Sequence, residues 1–156
     1  MANLWPQQDF TSMVAFYGNV GEHQTKLTLP YPLRLSWAPE TAVQRVTCHA
    51  KASEILEKIF SQILEHYGRD ASEVHNARMD LFGGCLNVRK VRGGDNWSTH
   101  SWGAAIDLDP AHNGLRTHRD QATMPHEIIA IFEAEGWTSM GHARDYDYMH
   151  FQAAAL

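Results

Sequence analysis

The sequence predicts an α+β fold, and three observations predict it. An amphipathic helical pattern fills residues 51–67. Strand-like alternation appears at Leu33–Trp37 and again at Ala104–Leu108. Helices and strands are mixed without the regular strand–helix–strand order of a parallel α/β sheet.

In the helix, Ile55, Leu56, Ile59, Phe60, Ile63, Leu64 and Tyr67 recur at three-and-four spacing, with Glu54, Glu57, Lys58, Ser61, Gln62 and Glu65 on the other face. Gly68 is a suitable stop. Residues 1–40 read as loop-rich, with Pro6, Gly18, Gly21, Pro30, Pro32 and Pro39. Within them a short helix is expected at Asp9–Tyr17 and a strand at Leu33–Trp37, where Leu33, Leu35 and Trp37 alternate with Arg34 and Ser36. A strand-like run covers Asp80–Val91, with Gly83 and Gly84 allowing a bulge or close backbone approach. Ala104, Ile106 and Leu108 alternate with Ala105, Asp107 and Asp109, the pattern of a half-buried strand that ends at Pro110. Pro125 opens a second helix, whose stripe is Ile128, Ile129 and Phe132, and Gly136 closes it. Tyr148–Ala153 reads as the last strand.

The 156 residues suit one domain, 1–156, in which residues 1–29 are the less certain N-terminal extension. With 44% hydrophobic and 20% charged residues the composition is that of a globular protein. A net charge of −5 argues against nucleic acid as the main partner, since phosphate binding wants a basic face. Cys48 and Cys85 lack metal spacing and are expected as buried thiols. The N-terminus lacks the basic and apolar regions of a signal peptide, and no segment approaches the roughly 20 apolar residues of a membrane span. The expectation is a soluble chain made in the cytoplasm, without stable membrane association. Oligomeric state has no signature in the sequence.

Two segments concentrate chemistry. STHSWGAAIDLD, residues 98–109, and DYDYMHFQ, residues 145–152, each place a histidine and carboxylates on or beside an expected strand. Catalytic zinc takes three protein ligands of this kind and keeps a fourth position open. Gly103 and the alternation after it suggest a loop feeding a strand, which can fold His100 back over Asp107. His150 would join them from the last strand. Strand parity puts Asp107 and Asp109 on one face and does not choose between them. Asp147 and His150, three apart, share a site only if Asp147 lies just before the strand or at a bend. The high count of ten histidines reads mostly as scattered surface residues. His112, His118, His126 and His142 read so individually, and His142 is also a candidate for the cleft wall. Trp97, Trp102 and Trp137 are candidates for core or for a groove wall.

STHSWGAAID resembles the S-x-H-x-x-G-x-A-x-D motif of the D-alanyl-D-alanine carboxypeptidase-type zinc peptidases, and DYDYMHFQ resembles the family's second motif. The family includes D,D-carboxypeptidases (the VanY-like branch), vancomycin-resistance D,D-dipeptidases and L-alanyl-D-glutamate peptidases of phage endolysins. GGCLNVRKVRGG and the Gly136-Trp137 pair are similar to the phage and bacterial branch, and the resemblance covers most of residues 30–153. It implies a small, hedgehog-like domain with a central, mainly antiparallel sheet flanked by helices. It implies zinc as cofactor on His100, Asp107 and His150, and Asp147 as general base where the family often has Glu. Arg89 is the implied arginine for the scissile carbonyl or a substrate carboxylate, with Arg92 as runner-up. Ser98, which opens the first motif, is implied to orient substrate or the ligand loop; Trp102, as an aromatic residue that could line the groove, is a further candidate for substrate contact. The implied substrate is a peptidoglycan stem peptide, cut by an endolysin-like endopeptidase that reaches the wall through a holin-type pore or another route. A D-alanyl-D-alanine carboxypeptidase or dipeptidase is the alternative within the class, and a non-catalytic zinc-containing wall-binding module is the alternative outside it.

Overall fold

Leu27, Leu29, Tyr31 and Leu33 are buried while Thr28, Pro30 and Pro32 between them are exposed. This alternation makes Gln24–Leu35 (β1) a strand with one face in the core, although the region reads as loop-rich from its prolines. In the computed structural model, which describes residues 4–156, β1 forms a hairpin with Ala38–His49 (β2). The register shifts between Thr28 and Leu33, and Pro30 and Pro32, which cannot donate to the ladder, fall in that irregular stretch. Trp37, expected in the strand, sits in the tight turn and is 65% exposed. β2 was not legible because half of its residues are exposed and their pattern does not alternate.

The remaining elements are Phe10–Tyr17 (α1), Ala50–His66 (α2), Ala71–Asn76 (α3), Leu81–Gly84 (β3), Ala105–Leu108 (β4), His126–Ala134 (α4), Thr138–Ser139 (β5), Met140–Arg144 (α5) and His150–Gln152 (β6). They form one small α+β domain with a six-stranded sheet of order β2-β1-β3-β4-β6-β5. β1 and β3 run parallel and every other neighbouring pair is antiparallel.

Helix α2 lies where its periodicity placed it, and its buried stripe of Leu56, Ile59, Phe60 and Ile63 packs on the inner face of β1. Tyr31 meets Phe60 edge-on at 5.8 Å. Helix α4 begins after Pro125, which is its N-cap rather than its first residue, and Phe132 stacks on Phe151 of β6 at 3.9 Å. Gly136, at a φ of 80°, turns the chain after α4. Trp5, Met13 and Tyr17 belong to the main hydrophobic core, so the N-terminal region is an integral part of the fold.

Three further expectations are revised. The run Asp80–Val91 is a strand only at Leu81–Gly84; beyond it the chain is a loop. β4 is buried at all four positions rather than half-buried. Ile106 and Leu108 join the core, and a 3₁₀ turn, Thr99–Trp102, covers the side on which Asp107 lies. The last strand is His150–Gln152, shorter than Tyr148–Ala153.

Candidate metal centre

Parity on β6 sets the site. Phe151 enters the core, so His150 and Gln152 emerge on the opposite face. His150 is paired with Asp107 of β4 in the antiparallel register, which brings the two side chains together. The 3₁₀ turn then lowers His100 onto Asp107. Ser98 caps that turn, its Oγ accepting from the His100 N–H at 3.2 Å, and Gly103 ends it at a φ of 67°. Gly83 on β3 makes room, since a Cβ there would lie 2.9 Å from the Asp107 Cβ.

His100, Asp107 and His150 are all buried, and one ligand atom from each lies within 4.8 Å of the others. Asp107 Oδ1 is 3.3 Å from His100 Nε2 and 3.2 Å from His150 Nδ1. The ring nitrogens facing away are already committed. His100 Nδ1 donates to the Cys85 carbonyl at 2.8 Å, and His150 Nε2 contacts Gln152 Oε1 at 2.9 Å. His100 Nε2 is buried and, beyond the 3.3 Å approach of Asp107 Oδ1, has no hydrogen-bond partner. A buried nitrogen facing a carboxylate and a second imidazole is a donor set that suits a divalent metal ion, and these residues would accommodate zinc. Burial alone would raise the pKa of Asp107. The two imidazoles beside it outweigh that and hold the carboxyl well below the usual range. Among the described residues this is the one such group of metal-ligating side chains.

Asp109, which parity could not separate from Asp107, lies outside the cluster. β4 ends at Leu108, Asp109 turns to a φ of 48°, and its buried carboxylate binds Arg78, His112 and Asn113. Asp147 lies at a bend, with a φ of 57° and its carbonyl accepting from the His150 N–H at 3.0 Å. Its Oδ1 is buried without a hydrogen-bond partner. Burial raises its pKa, and the charges of His150, His100 and Arg89 oppose that rise.

Arg89 is half-buried and held by its backbone against the turn that carries His100. Its N–H donates to Ser101 Oγ at 3.0 Å, while its carbonyl accepts from Ser101 Oγ at 2.8 Å and from the Ser98 N–H at 2.9 Å. Arg92 is exposed at the tip of the following loop. Both line a groove of about 1320 Å³ that contains the cluster, together with Asp147, Lys90, Trp97 and Tyr146. Lys90 lies over the Trp97 ring at 4.1 Å, forming one wall. Trp102 is at the groove floor but only 1% exposed, its indole N–H donating to the Gly18 carbonyl. Trp137 is in the core.

Three of the ten histidines are buried: His49, His100 and His150. His49 is satisfied on both nitrogens, by Tyr17 and Lys51. His142 is exposed and pairs with Glu133 away from the groove. Cys48 and Cys85 are buried free thiols, and burial pushes Cys48 up to about 12. Gln152, Thr99 and Gln8 stand behind His150 and did not figure in the sequence reading. For Gln152 a signal existed: it is two residues from His150 on one strand, and so on the same face.

A family model described as D-alanyl-D-alanine carboxypeptidase matches residues 92–153, less than half of the chain but the part that holds all three residues of the cluster and Asp147. No curated protein and no solved structure gives a match. The matched segment and the buried His-Asp-His cluster together support a metallopeptidase of this general type.

Proposed function

We propose that this protein is a zinc peptidase that hydrolyses peptide bonds in bacterial peptidoglycan stem peptides, as an endopeptidase of the L-alanyl-D-glutamate type. The observation that carries the reading is the bare, buried Nε2 of His100, facing Asp107 and His150 at the floor of an open groove. His100 Nε2, Asp107 Oδ1 and His150 Nδ1 would hold the metal. Zinc bound there would supply Lewis acidity that promotes amide hydrolysis at neutral pH.

Asp147 is the proposed base. Its unpartnered Oδ1 can accept a proton from water and return it to the leaving amine. Arg89 is the proposed stabiliser of charge on the carbonyl oxygen, because its backbone is fixed against the ligand turn and its charge reaches Asp147. Arg92 and Lys90 would meet the substrate further out along the groove. Ser98 acts through the turn it caps. Release through a holin-type pore remains part of this proposal, to be read from lysis that requires a co-expressed pore.

The description of the matching family favours a second reading, a D-alanyl-D-alanine carboxypeptidase. Mass spectrometry of digested muropeptides separates the two. Cleavage between the first two stem residues supports the endopeptidase, and release of terminal D-alanine supports the carboxypeptidase. Elemental analysis tests the centre itself: His150→Ala should lose the metal, and full zinc occupancy in that variant would remove His150 from the ligand set.

A further inference from the structure

We propose that Gln152 is a positioning residue that fixes which nitrogen of His150 faces the metal. The inference rests on the reading of the cluster as a metal centre and concerns a side chain that would not touch the ion.

The argument is one of donors and acceptors. Gln152 Nε2 is 3.2 Å from the Ala154 carbonyl, and a carbonyl can only accept. The amide nitrogen is therefore on that side, where it also donates to Gln8 Oε1 at 3.0 Å. Gln152 Oε1 is thereby turned to the other side, and it can only accept. The Thr99 hydroxyl donates to it at 3.2 Å, and His150 Nε2 lies 2.9 Å away. His150 Nε2 must then carry the proton, which leaves Nδ1 as the lone pair toward Asp107. His100 reaches the complementary state more directly, because its Nδ1 donates to the Cys85 carbonyl. A backbone carbonyl thus sets each imidazole, one in contact and one relayed through an amide. The relay runs into the N-terminal segment, whose residue Gln7 pairs with Ala155 and whose Gln8 meets Gln152. That segment lies outside the region the family model matches.

Gln152→Leu keeps the bulk and removes the acceptor, whereas Gln152→Glu keeps an acceptor for His150 Nε2–H. Zinc affinity of the full chain is measured by competition with a chromophoric chelator. Gln152→Leu should weaken zinc by about 10- to 100-fold, as loss of such a partner generally does, and Gln152→Glu, which keeps the acceptor for His150 but loses the donor to Ala154 and Gln8, should be weakened less. In ¹⁵N NMR of the zinc-loaded wild type, His150 should show a protected Nε2–H and a metal-bound Nδ1. That proton should lose its protection in Gln152→Leu, a change that mere loss of packing would not produce. Wild-type affinity in Gln152→Leu would overturn the inference while leaving the metal centre standing. Metal on Nε2 in the wild type would overturn it without recourse to any variant. A wild-type chain that binds no zinc would overturn both this inference and the metal reading beneath it.

Discussion

Asp107 and Asp109 are two residues apart and do different work, which mutation can separate. Asp107 faces two imidazoles, while Asp109 ties Arg78, His112 and Asn113 into the loop after β4. Asp107→Ala is expected to abolish zinc binding. Asp109→Ala should retain zinc yet lose about 1–3 kcal/mol of stability, because the buried Asn113 amide and the part-exposed Arg78 and His112 lose an acceptor; calorimetry and elemental analysis on the two variants check this. Asp147→Asn should keep its zinc and lose about 10²–10⁴ in turnover, and normal turnover would rule Asp147 out as base. The pH profile follows from the same residue. Burial raises the Asp147 pKa and a bound dication beside it would lower it, so, since a base works only when ionised, activity should fall on the acid side and the acid limb of the zinc-loaded protein should lie below the Asp147 titration of the metal-free chain. Arg89 opposes the rise, so Arg89→Gln should move the acid limb to higher pH while Arg92→Gln leaves it in place. The spacing of His100, Asp107 and His150 indicated a metal site, but the choice between the two aspartates needed the break in strand parity that a φ of 48° at Asp109 creates.

At the scale of elements, the site depends on a short 3₁₀ turn packed against β4. Gly103 closes that turn at a φ of 67°, and a Cβ there would strike the Gln24 side chain and the His49 backbone. Gly103→Ala should therefore cost at least about 1–2 kcal/mol from backbone strain alone and should weaken zinc binding by displacing His100. Thermal melting together with zinc competition checks it; a variant with unchanged melting and affinity would mean that the turn adapts freely. This turn also marks where sequence legibility ended. Helix α2 and strand β4 announce themselves by apolar period, 3.6 for one and two for the other. The 3₁₀ turn has no period to show. β2 has length but is exposed over half of its course and buried only near its end, so burial left no alternating pattern in it. The loop after Gly84 looked strand-like because Leu86, Val88 and Val91 are apolar, yet Val88 and Val91 are 50% and 39% exposed. Their neighbour Arg89 could be placed only through its backbone bonds to Ser98 and Ser101, which local sequence does not encode.

Across the whole molecule, the sheet divides two tasks. One face carries α2 and α4 over an apolar core, and the other, at β4 and β6, carries the buried ligands and the groove. Such a centre couples to folding: zinc at about 100 times its dissociation constant should add about 2.7 kcal/mol to stability and raise the melting temperature, and a chelator should reverse the gain. No helix among the described residues is long and apolar enough to cross a membrane. The α+β class was legible from the mixture of periods, whereas the sheet order was not, since it depends on β1 pairing in parallel with β3 across the length of α2 and α3. The measurement that tests the central claim most directly is digestion of purified muropeptides by the zinc-loaded protein, with and without a chelator, followed by mass spectrometry of the products. New termini within the stem peptide should appear with zinc, vanish with the chelator and return when zinc is restored. Cleavage that proceeds unchanged in the chelator, or intact muropeptides in the presence of a fully zinc-loaded chain, would contradict the account.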